Sequence, residues 1–156
     1  MPVPDPGPRW KAAGAEWRGG EFYKCLSPQA MSEFESHAAP YCCEGETELL
    51  AEGQKMCSLL FLLEGTVKVT MNRMDGKRLS LGVAMPGELL GLAAVLSRYP
   101  CEMTAVALLP CLITSLPRQS FVDFLLRHPV ASQNSARIMS AENERCREEF
   151  CRLGWN

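Results

Sequence analysis

The chain has 156 residues, 47% of them hydrophobic and 22% charged, with 16 Lys and Arg against 18 Asp and Glu and a formal charge of −2. This length supports one domain with a core of its own and one appended helix, in a composition ordinary for a soluble globular protein. The basic excess of a protein that grips a nucleic-acid backbone is missing, and the longest apolar runs, Leu59–Leu63 and Leu89–Leu96, are too short to span a bilayer.

The N-terminal stretch MPVPDPGPRWKAAGAEWRGG is rich in Pro, Gly and Ala and has no apolar signal segment, so residues 1–20 are expected to form a poorly ordered leader and the location is expected to be cytoplasmic. In that compartment the eight cysteines stay reduced; none stands in a CxxC pair, and buried or surface thiols are the expected role. From Ser27 the run SPQAMSEFESHA predicts a helix, with Ser as N-cap, Pro at the first helical position, and Met31 and Phe34 on one face.

Between Glu48 and Leu116 the pattern changes to short apolar or alternating runs punctuated by glycine. Runs of this kind with frequent turn signals predict an antiparallel β-roll of jelly-roll type, mainly β with flanking helices. Asp75-Gly76 is the clearest hairpin turn. Val67, Val69 and Met71 alternate with Lys68, Thr70 and Asn72, giving one buried and one wet face. Gly53, Gly65, Gly82, Gly87 and Gly91 mark tight bends or close backbone approaches.

After Leu116 helical spacing returns. Pro117 opens a segment with Phe121, Phe124 and Leu125 on one face, and Pro129 opens a final helix reaching about Leu153. Its charges alternate around a broken apolar seam of Ile138, Met139, Cys146, Phe150 and Leu153. Such a seam serves either a partner helix or the lid of its own domain. The expected organisation is a leader (1–20), a helix and β-roll (21–128) and a C-terminal dimerisation helix (129–156).

Over roughly residues 22 to 153, the EGQ of 52–54, the strand into EG-V-K-V at 64–69, the DGK hairpin and PGELLGL at 86–92 together resemble the sensor domain of the Crp/Fnr family of bacterial transcription regulators. The resemblance implies a cyclic-nucleotide-binding β-roll whose phosphate cassette maps onto Gly87, Glu88, Leu89, Gly91, Leu92, Arg98, Met103, Thr104 and Ala105. In that family a short helix after the glycine offers backbone N–H groups to the phosphate. A glutamate takes the ribose hydroxyl, and an arginine before a Ser/Thr-Ala pair holds the phosphate. Here the glutamate position is Leu92 and the arginine position is Met103, directly before Thr104-Ala105. Both polar anchors are missing, and an unpartnered phosphate buried among apolar side chains costs several kcal/mol, so about the whole affinity of a weak ligand. Cyclic nucleotide is therefore disfavoured and no cofactor is expected.

The family continues past its long helix into a helix-turn-helix domain. No recognition helix fits within these residues, so the chain is expected to be either a piece of a longer regulator or a stand-alone sensor, without direct DNA binding. The leading expectation is an effector-sensing domain with a degenerate cassette, dimeric through its terminal helix, with a small molecule as its partner. Two alternatives stand beside it: a functional cAMP domain using backbone amides and Arg98, and a sealed dimerisation module.

Catalysis is weighed down throughout. A cupin-type metal site needs several histidines, and only His37 and His128 exist, both expected at helix ends. The same placement argues against His37 as a haem ligand, as in the gas-sensing branch of the resembling family. No G-x-S-x-G elbow occurs, and the pairs Glu46/Glu48 and Glu88/Glu102 are expected to be solvated turn residues. No catalytic or metal-binding residue is assigned.

Overall fold

A computed structural model describes residues 15–72 and 75–152. After two 3-10 turns at Ala15–Gly19 and Tyr23–Cys25, the elements are α1 (Pro28–His37), β1 (Ala39–Cys43), β2 (Glu48–Leu50), β3 (Ser58–Glu64), β4 (Val67–Asn72), β5 (Arg78–Ala84), β6 (Leu89–Leu90), α2 (Leu92–Ser97), β7 (Thr104–Ala107), β8 (Cys111–Pro117), α3 (Arg118–Arg127) and α4 (Pro129–Arg152). The strands form two antiparallel four-stranded sheets, in the orders β1-β8-β3-β6 and β2-β7-β4-β5. This is the expected β-roll with flanking helices and a long terminal helix.

The roll has two cores, and β3 serves both. Its run Leu59–Leu63 shows no polar alternation because both faces are covered. Leu60 and Leu62 point between the sheets toward Val67, Ala105 and Ile113. Leu59, Phe61 and Leu63 point outward to a helical layer built on Phe22, Phe34, Phe121 and Phe124. Phe34 and Phe124 pack at 5.6 Å between ring centres, as do Phe34 and Phe61, so α1 and α3 lie on β3 through aromatic rings. Ser27 caps α1 by accepting the Ala30 N–H at 3.1 Å, as its position before Pro28 predicts. Glu33 ties α1 to α3, accepting from Arg127 at 2.9 Å and lying 3.2 Å from His128; the Arg127 guanidinium holds its carboxyl below the usual range.

The expected alternation holds at Val67 and Lys68, but Thr70, expected on the wet face, is buried, while Val69 and Met71 are only half-buried. Val67 and Val69 face the inter-sheet core, while Lys68 and Thr70 lie outside, with Thr70 covered by the Arg78 side chain that donates to it at 3.3 Å. A bulge opposite Val69/Thr70 is absorbed at Gly82, with φ +107°. All five glycines singled out for tight bends have positive φ. The hairpin residue Asp75 accepts the Lys77 N–H at 3.1 Å beside Gly76 at φ +85°.

Three boundaries differ from expectation. Residues 1–14 of the expected leader lie outside the described residues, but Trp17 is fully buried, with its ring 4.7 Å from Tyr23 and 6.0 Å from Phe61. Residues 15–20 therefore belong to the core: an indole that fills a gap in an aromatic layer outweighs the Gly- and Ala-rich composition around it. Strand β1 was not anticipated; it pairs along β8 from Ala39↔Ser115 to Cys43↔Cys111, and as an edge strand it tolerates Pro40. The division at residue 129 also shifts. Ala131, Asn134 and Ser135 are buried, and the Asn134 amide donates to the carbonyls of Glu21 and Phe22, so the first turns of α4 are part of the domain.

Candidate functional site

Between the open end of the roll and α4 lies a cavity of about 190 Å³. Its floor is apolar because β2, β4 and β6 direct Leu50, Val69 and Leu90 toward the inter-sheet core, while Leu89 and Leu92 line it from the β6–α2 corner and pack into the helical core behind. The corner turns at Gly91, with φ +81°, and a Cβ there would meet the Met56 and Leu50 side chains at 3.4–3.5 Å. Val83 and Tyr99, 46% and 74% exposed, stand at the mouth.

Six of the nine cassette positions line this cavity: Glu88, Leu89, Gly91, Leu92, Met103 and Ala105. The other three do not. Gly87 is packed the other way, where a Cβ would come within 2.8 Å of the Gly20 Cα and the Trp17 carbonyl oxygen. Thr104 is buried, and its hydroxyl accepts the Glu52 N–H at 3.2 Å, which holds the β2–β3 loop. Arg98 is exposed in a left-handed turn after α2, with its N–H bonded to the Ala94 carbonyl, and its side chain is not part of the cavity wall. Arg98, which the alternative reading puts in place of the missing anchor, thus stands outside the wall of this cavity in the structure.

The turn Met85–Glu88 is held by its own bonds. The Glu88 carboxylate accepts the Met85 N–H at 2.7 Å, the Gly87 N–H donates to Leu62 at 2.7 Å, and the Leu62 N–H returns to the Glu88 carbonyl at 3.1 Å. Glu88 therefore reaches the cavity with one carboxylate oxygen already engaged.

Helix α4 supplies wall residues that the sequence reading missed as site residues. Glu142, Arg145 and Cys146 line the cavity, and Glu102 joins them from the loop before β7. Their i, i+3, i+4 spacing, which places all three on one helix face, was the available signal. Burial pushes the Glu142 carboxyl up to about 6; Arg145 opposes that shift and Glu88 adds to it. Burial, helped by the Glu142 charge, also raises the Cys146 thiol. Glu88 and Glu102, expected as solvated turn residues, stand on the same cavity wall as Glu142; Glu102 is exposed as expected and Glu88 half-buried. Of the seam residues, Ile138 and Met139 pack half-buried on the helical core and Cys146 faces the cavity. The Phe150 side chain and Leu153 lie outside the described residues.

Among the described residues no group of three His, Cys, Asp or Glu side chains is placed to hold a metal ion. His37 is exposed at the end of α1, and His128 stacks on Phe124 at 4.7 Å beside Glu33. Among the same residues no helix is long and apolar enough to cross a membrane.

The sequence model of the cyclic nucleotide-binding domain matches residues 43–128, from the end of β1 to the end of α3. The chain belongs to this family. The cyclic-nucleotide-binding fold also recurs in solved structures. The catabolite activator protein of Thermus thermophilus superposes with a TM-score of 0.77 at 19% identity, over 86% of this chain and 63% of that one. The sensor domain of the transcriptional regulator DNR from Pseudomonas aeruginosa gives 0.67 at 18% identity, over 86% of this chain and 91% of that one. The regulatory subunit of a cAMP-independent protein kinase A from Trypanosoma cruzi, bound to guanosine, gives 0.67 at 19% identity, over 74% and 40%. The chain thus spans under two thirds of the Thermus protein. Among curated proteins none matches by sequence.

Proposed function

We propose that this cyclic-nucleotide-binding domain is a non-catalytic, effector-sensing domain of a Crp/Fnr-like regulator, acting in the cytoplasm, whose effector is not a cyclic nucleotide. One observation carries the reading: the cavity is lined by Leu92 and Met103 where the resembling family places its glutamate and arginine. Arg145 is the single cation on its wall among the described residues, against the carboxylates of Glu88, Glu102 and Glu142. A cyclic phosphate entering there exchanges water for apolar side chains and like charge. The Trypanosoma protein of this fold is bound to guanosine, a nucleoside without a phosphate, which supports an effector held by shape and apolar contact. Occupancy is transmitted through α4, which touches the cavity at Glu142 and Cys146 and the helical core at Ile138 and Met139. A homodimer through α4 belongs to the same reading.

Calorimetric titration with cAMP and cGMP tests it. No heat of binding at millimolar nucleotide is expected for the wild-type chain. Micromolar binding of either nucleotide, lost in Arg145→Ala, overturns the reading.

A further inference from the structure

The cavity has a sign as well as a shape. Its interior is apolar and of a size that sets the occupant's body: an engineered apolar cavity of about 150 Å³ takes benzene, and this one measures about 190 Å³. Its wall carries carboxylates from separate parts of the chain, Glu88 on the β5–β6 turn, Glu102 before β7 and Glu142 on α4. Glu88 spends one oxygen on the Met85 N–H. Neither Glu102 nor Glu142 has a hydrogen bond or ion pair to a side chain among the described residues, and Arg145 is exposed. Negative charge is therefore concentrated beside low-dielectric walls, where it attracts a cation more strongly than in water.

Resting on the effector-sensing reading above, we propose that the cavity takes a small amphiphilic cation: a single-ring or short branched apolar body that fills the Leu50, Leu90, Leu92 and Met103 pocket, with an ammonium group held between Glu142 and Glu102. Glu88 has a structural task in its turn, whereas no hydrogen bond to Glu102 or Glu142 explains their place on the wall among the described residues. Glu142 sits on the inner face of α4, where burial disfavours its charge and a helix of this kind ordinarily carries an apolar residue. An ammonium seated there restores the ionised form, so binding releases a proton near pH 6 and ties α4 to the loop before β7. That tie gives the helix a ligand-dependent contact with the roll, which is the differential interaction a two-state element requires.

The test uses three probes with one body and three charges: 2-phenylethylamine, 2-phenylethanol and 3-phenylpropionate, titrated calorimetrically into the full chain at pH 7.5. The expected order of affinity is ammonium, then alcohol, then carboxylate. Glu142→Gln is expected to weaken the ammonium about tenfold, the scale of one charge-assisted hydrogen bond, and to leave the alcohol unchanged. Glu102→Gln is the second variant, with a smaller loss in the same direction. Equal binding of ammonium and alcohol, indifferent to both variants, overturns the cation proposal while leaving an uncharged effector in place. Preference for the carboxylate overturns both the cation and the reading of a cavity hostile to anions. No binding of the ammonium at millimolar concentration also refutes the proposal.

Discussion

Replacing Glu142 by Gln should stabilise the domain at neutral pH, and the size of the gain follows from where the side chain lies. Its carboxyl is raised from an ordinary 4.5 to about 6, chiefly by burial. At full strength that displacement costs the ionised form about 2 kcal/mol; solvent screening at a half-buried position reduces it to about 1 kcal/mol. The folded state holds the proton more tightly than the unfolded state does. The contribution of this group to stability is therefore fully present below pH 4.5 and is lost as pH rises through 6. Gln has nearly the helix propensity of Glu, so the swap isolates the charge. The attraction to Arg145 three residues on, worth about 0.2–0.5 kcal/mol at the surface, opposes the shift and is already contained in the value of about 6. Thermal unfolding at pH 7.5 should show Glu142→Gln melting about 3 °C above wild type, with the two curves converging at pH 4. A variant less stable than wild type at pH 7.5 would mean that Arg145 outweighs burial, and the picture of an uncompensated carboxylate at the cavity would fail.

Two further outcomes test the architecture. Trp17→Ala removes an indole that is fully buried against Tyr23 and Phe61, and should cost about 3–5 kcal/mol in denaturant unfolding; a loss below 1 kcal/mol would return residues 15–20 to a dispensable leader. Light scattering should give twice the 17.3 kDa chain mass, and a particle that stays at one chain mass at high concentration would end the dimer reading.

The sequence is most legible where local rules and tertiary packing agree. Ser27-Pro28, Asp75-Gly76 and the positive-φ glycines each fix a backbone turn by their own chemistry, and the structure places the turns there. Strand β1 was hidden because Pro40 and Cys42-Cys43 carry no strand pattern; its pairing comes from β8, from 76 residues away at Ala39↔Ser115 to 68 at Cys43↔Cys111. Trp17 was hidden for a related reason, since a lone aromatic in a Gly- and Ala-rich stretch has no periodicity to place it. At the site, the cassette positions were readable through their resemblance, and most of them meet at one cavity. The α4 wall was not read because Glu142 and Arg145 pass for the charged face of an exposed helix until the roll is packed against them.

The motif that points most strongly to the family is one that the fold itself requires. In Pro86-Gly87-Glu88, Gly87 is required by its φ of +97° and by the approach of Gly20 and Trp17, which a Cβ would block at 2.8 Å. Glu88 closes the turn through the Met85 N–H and, by its backbone, binds β3 at Leu62. Gly91 then turns the chain into α2. Each of these residues is retained by a structural demand that holds with or without a phosphate, so their presence says nothing about nucleotide binding. Leu92 and Met103 are different: both line the cavity, and neither has a positive φ or a polar side chain that closes a turn. Leu92 is 2% exposed and packs into the helical core, a position in which an ionised glutamate would have to be offset by a bound partner. An apolar residue there stabilises the empty domain. On the proposed reading, Glu142 on α4, which Arg145 offsets only in part, is where a bound cation would make its contact with the helix.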